Sequence, residues 1–98
     1  MKQYVRGQIA RFIGLYTDAA GASQVPTNPT VYVFDPYGVQ KISGTPTGAS
    51  GTGRYYYNLV TATNWELGRY RVEFEGIGTG GTIRNSAFFE LIIGDADT

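Results

Sequence analysis

The sequence contains no cysteine and no histidine. Without cysteine the chain forms no disulfide and offers no thiolate, and without histidine it lacks the usual general base at neutral pH. These two residue types are also the commonest ligands of transition metals. We therefore expect a protein that is not an enzyme and that binds no metal and no cofactor.

An excess of charge of either sign is also absent, because 8 Lys and Arg residues balance 8 Asp and Glu residues. No net field draws the chain to nucleic acid or to an anionic membrane. No apolar run approaches the roughly 18 residues of a membrane span, and Arg6 and Arg11 interrupt the first apolar run before it reaches the length of an export signal. We expect no nucleic-acid partner, no membrane contact and folding in the cytoplasm of the cell that makes the protein.

Glycine and tyrosine are abundant, with 14 and 8 residues, and short apolar runs are separated by clusters of Gly, Pro, Asn and Asp. This composition is typical of short strands joined by turns and leaves no room for a long helix. The chain shows no internal repeat and no linker, so residues 1–98 are predicted to form one all-β domain. The predicted strands lie near residues 4–17 (one strand or two, bent around Gly14), 30–35, 39–43, 54–60, 68–76 and 83–93.

The clearest strand signal is in residues 69–75, where charged and apolar side chains alternate without a break. A strand with one face in water has this period, which predicts that Tyr70, Val72 and Phe74 point into the core. Two other predicted strands, 30–35 and the last one, carry apolar side chains on both faces. The chain therefore has more apolar faces than a lone two-layer domain needs.

Four segments are predicted as connections. Residues 35–38 form a strong turn with Pro and Gly at the required positions, and 19–29 and 44–53 are predicted surface loops. The glycines of 76–82 are also compatible with an anion-binding loop, but the stretch lacks the P-loop lysine and precedes a strand. We expect a hairpin loop there.

The four aspartates are too scattered to predict a calcium site, which needs several oxygen ligands around one point. Asp35 is expected to cap its turn, because an aspartate side chain can accept hydrogen bonds from the backbone that follows it. Asp95 and Asp97 are expected to belong to a frayed tail.

The segment 65–72 contains a tyrosine, Tyr70, near a strand start, with Gly68 two residues before it and Val72 two residues after it. This pattern resembles the tyrosine corner of immunoglobulin-like domains, in which the hydroxyl bonds to upstream backbone. The resemblance implies an immunoglobulin-like β-sandwich of two antiparallel sheets with about seven strands. The alternative is a tyrosine that merely packs in some other β-sandwich.

Short motifs along the chain resemble those of the small immunoglobulin-like structural proteins of tailed bacteriophages. They are the turn D-x-x-G from Asp18, V-x-V-x-D-P-x-G from Val31, G-x-Y-x-Y from Gly53 and G-x-Y-x-V from Gly68. The resemblance implies a structural virion component, such as a capsid decoration or cement protein or a head-tail or tail accessory protein. Such a protein is made in the host cytoplasm and resides in the virion. Its implied partners are major capsid or head-tail proteins, which it binds in several copies or as a homo-oligomer.

Exposed aromatic side chains are the candidate partner-binding residues, because contiguous apolar patches on a soluble domain mark interfaces. Alternation places them on faces or turns away from Val72, unless a second sheet packs on that side. A planar aromatic platform could also stack on sugar rings, so a glycan-binding or adhesion module is the alternative function. The candidate residues are Tyr32, Phe34, Tyr37, Tyr56 and Phe88.

Overall fold

The computed structural model describes residues 2–18, 20–48, 53–78 and 80–92, and these residues form strands and turns without any helix. None of the described residues therefore belongs to a helix that could cross a membrane. The strands are β1 (Lys2–Val5), β2 (Ile9–Leu15), β3 (Thr27–Phe34), β4 (Gln40–Gly44), β5 (Thr47–Gly48), β6 (Arg54–Val60), β7 (Gly68–Gly78) and β8 (Gly81–Ile92).

The strands form a five-stranded sheet in the order β1-β8-β7-β3-β4 and a three-stranded sheet in the order β2-β6-β5. Hydrophobic side chains of the two sheets pack against each other in one core. The chain is thus an immunoglobulin-like β-sandwich, as its sequence predicts. Antiparallel ladders join the neighbouring strands, and one parallel pair, β1 with β8, is added at the edge of the larger sheet.

The first predicted strand, 4–17, is two strands in different sheets, and the chain crosses between the sheets at residues 6–8 instead of at Gly14. Gly7 makes this crossing with a φ of 91°, which favours glycine, and its N–H donates to Thr61 Oγ1 at 3.0 Å. Gly14 lies inside β2, where a Cβ would stand 2.6 Å from the ring of Phe74. Close packing, and not a bend, therefore requires glycine at position 14.

The predicted hairpin turn at 35–38 is present, and Asp35 caps it by accepting hydrogen bonds from the backbone N–H groups of Tyr37 and Val39 at 2.9 Å each. The hairpin predicted around 76–82 is also present, with β7 and β8 extended to Gly78 and Gly81.

Two predicted loops contain more strand than expected. Strand β3 begins within the segment 19–29, although its ladder with β7 is irregular before Thr30. Strand β5 lies within the segment 44–53, because Thr47 and Gly48 pair with β6. Residues 49–52, and the predicted tail with residue 93, Asp95 and Asp97, lie outside the described residues.

Alternation along β7 places Tyr70, Val72 and Phe74 in the core, as predicted, with exposed fractions of 0%, 0% and 2%. The same alternation buries Phe89 of β8 and leaves its neighbour Phe88 exposed. The buried hydrophobic residues are Ala10, Phe12, Tyr16, Val31, Val33, Leu59, Tyr70, Val72, Phe74, Phe89 and Leu91.

Tyr70 has the geometry expected of a tyrosine corner. Its ring stacks on Trp65 and on Phe89, with centroid distances of 5.7 and 5.2 Å. Its hydroxyl donates to the backbone carbonyl of Glu66 at 2.8 Å, four residues upstream. The Glu66 carboxylate in turn pairs with Lys41 Nζ of β4 at 2.8 Å. The corner before β7 is therefore held to two strands of the larger sheet, the adjacent β8 and the edge strand β4.

Replacing Tyr70 with Phe removes this hydroxyl while keeping the stacked ring. The part-buried Glu66 carbonyl then loses its donor, so we expect a loss of about 1–3 kcal/mol in the free energy of unfolding. Urea denaturation measures the loss, and Tyr37→Phe is the matched control because the Tyr37 side chain is 78% exposed. Equal denaturation midpoints for Tyr70→Phe and the unmodified chain would contradict the tyrosine corner.

The buried tyrosines also predict how stability depends on pH. Burial raises the pKa of Tyr70 to about 12, with a smaller contribution from the charge of Glu66, and burial likewise raises the pKa of Tyr16. An unfolded tyrosine ionises near pH 10, so above that pH the unfolded chain releases protons that the folded chain retains. The contribution of these two tyrosines to the free energy of unfolding is therefore fully present below about pH 10. It decreases as the pH rises toward about 12.

Urea midpoints measured across this alkaline range test the expectation. The fall should be shallower in Tyr70→Phe, because that variant has one fewer group whose pKa changes on unfolding. A midpoint that stays constant through the range would show that the two tyrosines titrate alike in the folded and unfolded chain.

Candidate binding surface

The outer face of the five-stranded sheet carries a group of aromatic and arginine side chains, which we call the aromatic face. Its residues come from three adjacent strands, and the register sets Arg71 of β7 opposite both Phe34 of β3 and Phe88 of β8. They point outward because their neighbours along each strand point into the core. The aromatic face consists of Tyr32, Phe34, Arg69, Arg71 and Phe88.

Each phenylalanine of this face has an arginine over its ring. The Arg71 guanidinium lies 4.3 Å from the Phe34 ring centroid, and the Arg69 guanidinium lies 4.8 Å from that of Phe88. Such contacts are attractive and do not use the N–H groups of the guanidinium as donors, so those of Arg69, and those of Arg71 that do not face Glu73, can meet acceptors on a partner. The face thus combines apolar area with directed hydrogen-bond donors.

A cleft of about 220 Å³ lies at one end of the aromatic face, beside the turn between β3 and β4. Phe34, Phe88 and the two arginines form one side of it, and Asp35, Pro36 and Gly38 form the other. The Asp35 carboxylate is already engaged in capping the turn. The two guanidinium groups are therefore the groups in this cleft best placed to meet an acceptor on a partner.

The other half of the same sheet face is charged. Arg84 Nε pairs with Glu75 Oε2 at 2.8 Å, and this hydrogen bond raises the pKa of Arg84. Arg71 Nη1 approaches Glu73 Oε2 at 3.4 Å. Exposed pairs of this kind stabilise a fold by only about 0–1 kcal/mol. They give the aromatic face a polar border along one side.

The predicted partner-binding residues are distributed over three places. Tyr32, Phe34 and Phe88 lie together on the aromatic face, with the rings of Tyr32 and Phe34 6.5 Å apart. Tyr37 lies on the turn at the end of that sheet and is 78% exposed. Tyr56 lies on the opposite sheet. No second sheet among the described residues covers the aromatic face, so the alternative in which these rings form a second core does not apply within this part of the chain.

A second apolar surface, which the sequence analysis did not identify, covers the outer face of the three-stranded sheet. Strand β2 alternates between core residues and outward aliphatic residues, so both of its faces are apolar. The Arg11 guanidinium lies 3.9 Å from the Tyr56 ring centroid on this face. We call it the aliphatic face, and its exposed residues are Ile9, Ile13, Leu15 and Val60, with exposed fractions of 65%, 54%, 51% and 65%.

The alternation of apolar side chains at 9, 13 and 15 was the available signal for this surface. It was not decisive, because the alternate positions 10, 12 and 14 are also apolar or small and a strand buried on both faces gives the same pattern. The arginines of the aromatic face were likewise not identified, since the sequence does not show which strands are neighbours.

The two sheets do not close on each other beside β8. A cleft of about 230 Å³, which we call the edge cleft, opens between β2 and β8. The Asn85 side-chain amide donates to the backbone carbonyl of Leu15 across its mouth. Ile13, Gly14 and Leu15 line one side, Asn85, Ser86 and Ala87 line the other, and Phe74 also contributes to the lining.

Another cleft, of about 320 Å³, lies near Asp18 and the β7–β8 hairpin. One oxygen of the Asp18 carboxylate accepts hydrogen bonds from the N–H groups of Ala20 and Ala22, so it caps its own loop. The described residues contain no group of three or more acidic side chains that could hold a metal ion. The clefts thus offer surfaces for contact and no assembled metal-ligand set within the part that is described.

No protein-family model and no curated protein matches the chain. Among solved structures, the chain is similar to the crystal structure of CopC from Methylosinus trichosporium OB3b, with a TM-score of 0.63 and 12% sequence identity. The match covers 96% of this chain and 85% of that one. At this identity the similarity shows a shared fold and carries no statement about a ligand or a partner.

Proposed function

We propose that the chain is a non-catalytic structural protein of a phage virion, a capsid decoration or head-tail accessory protein that docks on a protein shell. The observation that carries the proposal is the aromatic face, with Phe34 and Phe88 each under an arginine. Aromatic residues and arginine are the residue types enriched at protein interfaces and at their energetic centres.

The chemistry of the aromatic face suits a protein partner. The two guanidinium groups supply hydrogen-bond donors for carboxylates or backbone carbonyls, and the rings between them supply apolar area. The charged half of the sheet face forms a polar border, as at other interfaces. Because the chain has no net charge, contact geometry and apolar burial are the main sources of its affinity.

The virion assignment rests on the resemblance of the short motifs to those of phage immunoglobulin-like proteins. The structure adds a role for two of these motifs. The V-x-V-x-D-P-x-G motif builds the capped turn beside the aromatic face, and G-x-Y-x-V builds the tyrosine corner at Tyr70. Both motifs therefore support the strands that present the aromatic face.

Binding to shells of the parent phage that lack the protein tests this proposal. We expect stoichiometric binding, and we expect Phe34→Ala and Phe88→Ala each to weaken it by about 1–2 kcal/mol, which is about 5- to 30-fold in Kd. The fold should remain intact, because both side chains lie on the outer face of the sheet. The matched control is Val25→Ala, an exposed apolar residue in the loop between β2 and β3.

Three results would count against the proposal. Unchanged occupancy of the shell in both phenylalanine variants would remove the aromatic face as the docking surface. Loss of folding in Phe34→Ala, seen by circular dichroism, would make that ring a core residue. A saturable rise in the thermal midpoint with one sugar from a glycan panel would favour the adhesion module instead.

A further inference from the structure

The outward side chains of β2 and β6 lie in cross-strand pairs on the aliphatic face, and successive pairs are about 7 Å apart along the strands. Arg11 and Asn58 form a polar pair within this series. The pairs, in order along β2, are Ile9 with Val60, Arg11 with Asn58, Ile13 with Tyr56 and Leu15 with Arg54. The polar pair therefore lies between an aliphatic pair on one side and Ile13 with Tyr56 on the other.

The donors of the polar pair are unused within the part of the chain that the structure describes. The Arg11 side chain is exposed, and its guanidinium contacts the Tyr56 ring. This kind of contact does not use the guanidinium N–H groups as donors. Neither the Arg11 guanidinium nor the Asn58 side-chain amide makes a hydrogen bond or an ion pair with another described residue. Both groups can therefore meet an acceptor on a partner.

The strands of this sheet carry positive charge only. Strands β2, β5 and β6 contain Arg11 and Arg54 and no Asp or Glu. The acidic residues in the strands of the structure, Glu73, Glu75 and Glu90, all lie on the five-stranded sheet. A partner with a negative charge is therefore complementary to the aliphatic face, although the whole chain has no net charge.

A cleft of about 110 Å³ opens beside Arg11 on this face. Its volume is below the about 300–1,000 Å³ of pockets that hold small molecules, so it suits one inserted side chain. None of its lining residues is acidic, and they are Arg11, Ile13, Arg54, Tyr55 and Tyr56.

We propose that the aliphatic face binds a strand of a second protein, whose acidic side chain enters this cleft and pairs with Arg11. Arginine can bind a carboxylate through two parallel hydrogen bonds, and apolar side chains around such a pair exclude water from it. Aliphatic side chains two positions before and after the acidic residue match the spacing of Ile9, Arg11 and Ile13. The inference goes beyond shell docking and does not depend on it, because the aromatic face lies on the other sheet.

A second copy of this chain does not supply the required carboxylate. In a symmetric contact between two aliphatic faces, each copy would bring Arg11 and no acidic strand residue. The acidic side chains of the five-stranded sheet are already engaged, with Arg71, Arg84 and Gln3. The acidic strand therefore belongs to a different protein.

An anionic lipid surface matches the face less well than a protein does. Insertion of Ile9 and Ile13 into the acyl layer would carry the Arg11 guanidinium between them into a region without acceptors, which is unfavourable. A protein strand instead places an acceptor at the position of Arg11 and apolar side chains on both sides of it.

A disulfide-closed β-hairpin peptide with Leu, Glu and Leu at alternate positions of one strand is the probe. Closure holds this strand extended before it binds, which reduces the entropy lost on binding. NMR titration of the full chain should give saturable shifts at the Arg11 Nε–H and at the methyl groups of Ile9 and Ile13, and none at Phe34 or Phe88. The same hairpin with Gln in place of Glu should bind about 10-fold more weakly, because it offers no charged acceptor.

Variants of the chain test the same pair. Arg11→Gln should lower the affinity for the Glu hairpin about 10-fold and should leave the affinity for the Gln hairpin unchanged. The matched control is Lys2→Gln, which removes another exposed cation beside a tyrosine ring, on the five-stranded sheet. It should leave both affinities unchanged, and circular dichroism checks that both variants fold.

The proposal is overturned if the Glu hairpin gives no saturable shifts on the aliphatic face or binds no more tightly than the Gln hairpin. It is also overturned if Arg11→Gln binds the Glu hairpin as tightly as Lys2→Gln does. Binding of the unmodified chain to mixed phosphatidylcholine and phosphatidylserine vesicles, lost in Ile13→Lys, would assign the face to an anionic membrane instead.

Discussion

The stacked and hydrogen-bonded position of Tyr70 is the constraint on which the rest of the sandwich depends. Its ring contacts Trp65 before the strand and Phe89 on the neighbouring strand, and its hydroxyl bonds to the carbonyl of Glu66. These contacts set which side of β7 faces the core. Because side chains alternate along a strand, Arg69 and Arg71 must then point outward, where they meet the aromatic rings of β3 and β8.

Much of the fold could be predicted from the sequence, and what could not has physical reasons. The alternation of 69–75 identified the core side of β7. The turn capped by Asp35 and the corner formed by Tyr70 each depend on residues only a few positions apart, so both could be recognised from the sequence. A bend was expected at Gly14, because the sequence does not show that Gly14 makes room for Phe74, and the crossing between sheets at Gly7 was not predicted. Strand β5 has only two residues, which is too short to show a local periodicity.

The candidate site was predictable only in part for the same reason. Periodicity assigns Tyr32 and Phe34 to an outward face, but their position beside Arg71 depends on strand order, which is a property of the whole fold. The part of β8 that β1 leaves unpaired depends on where β1 begins, opposite Phe89, and that too is absent from the local pattern. Surfaces formed by one strand can be read from sequence, whereas surfaces formed between strands require the structure.

In the function proposed for this chain, the aromatic face is the surface that meets a protein shell. Hydroxyl-radical footprinting of the free and shell-bound protein tests it directly, since it reports which side chains lose access to solvent. We predict protection of Phe34 and Phe88 on binding, no change at Ile13 and Val60 on the opposite sheet, and no reaction at buried Tyr70 in either state. Protection confined to Ile13 and Val60, with Phe34 and Phe88 as reactive as in the free protein, would contradict docking through the aromatic face.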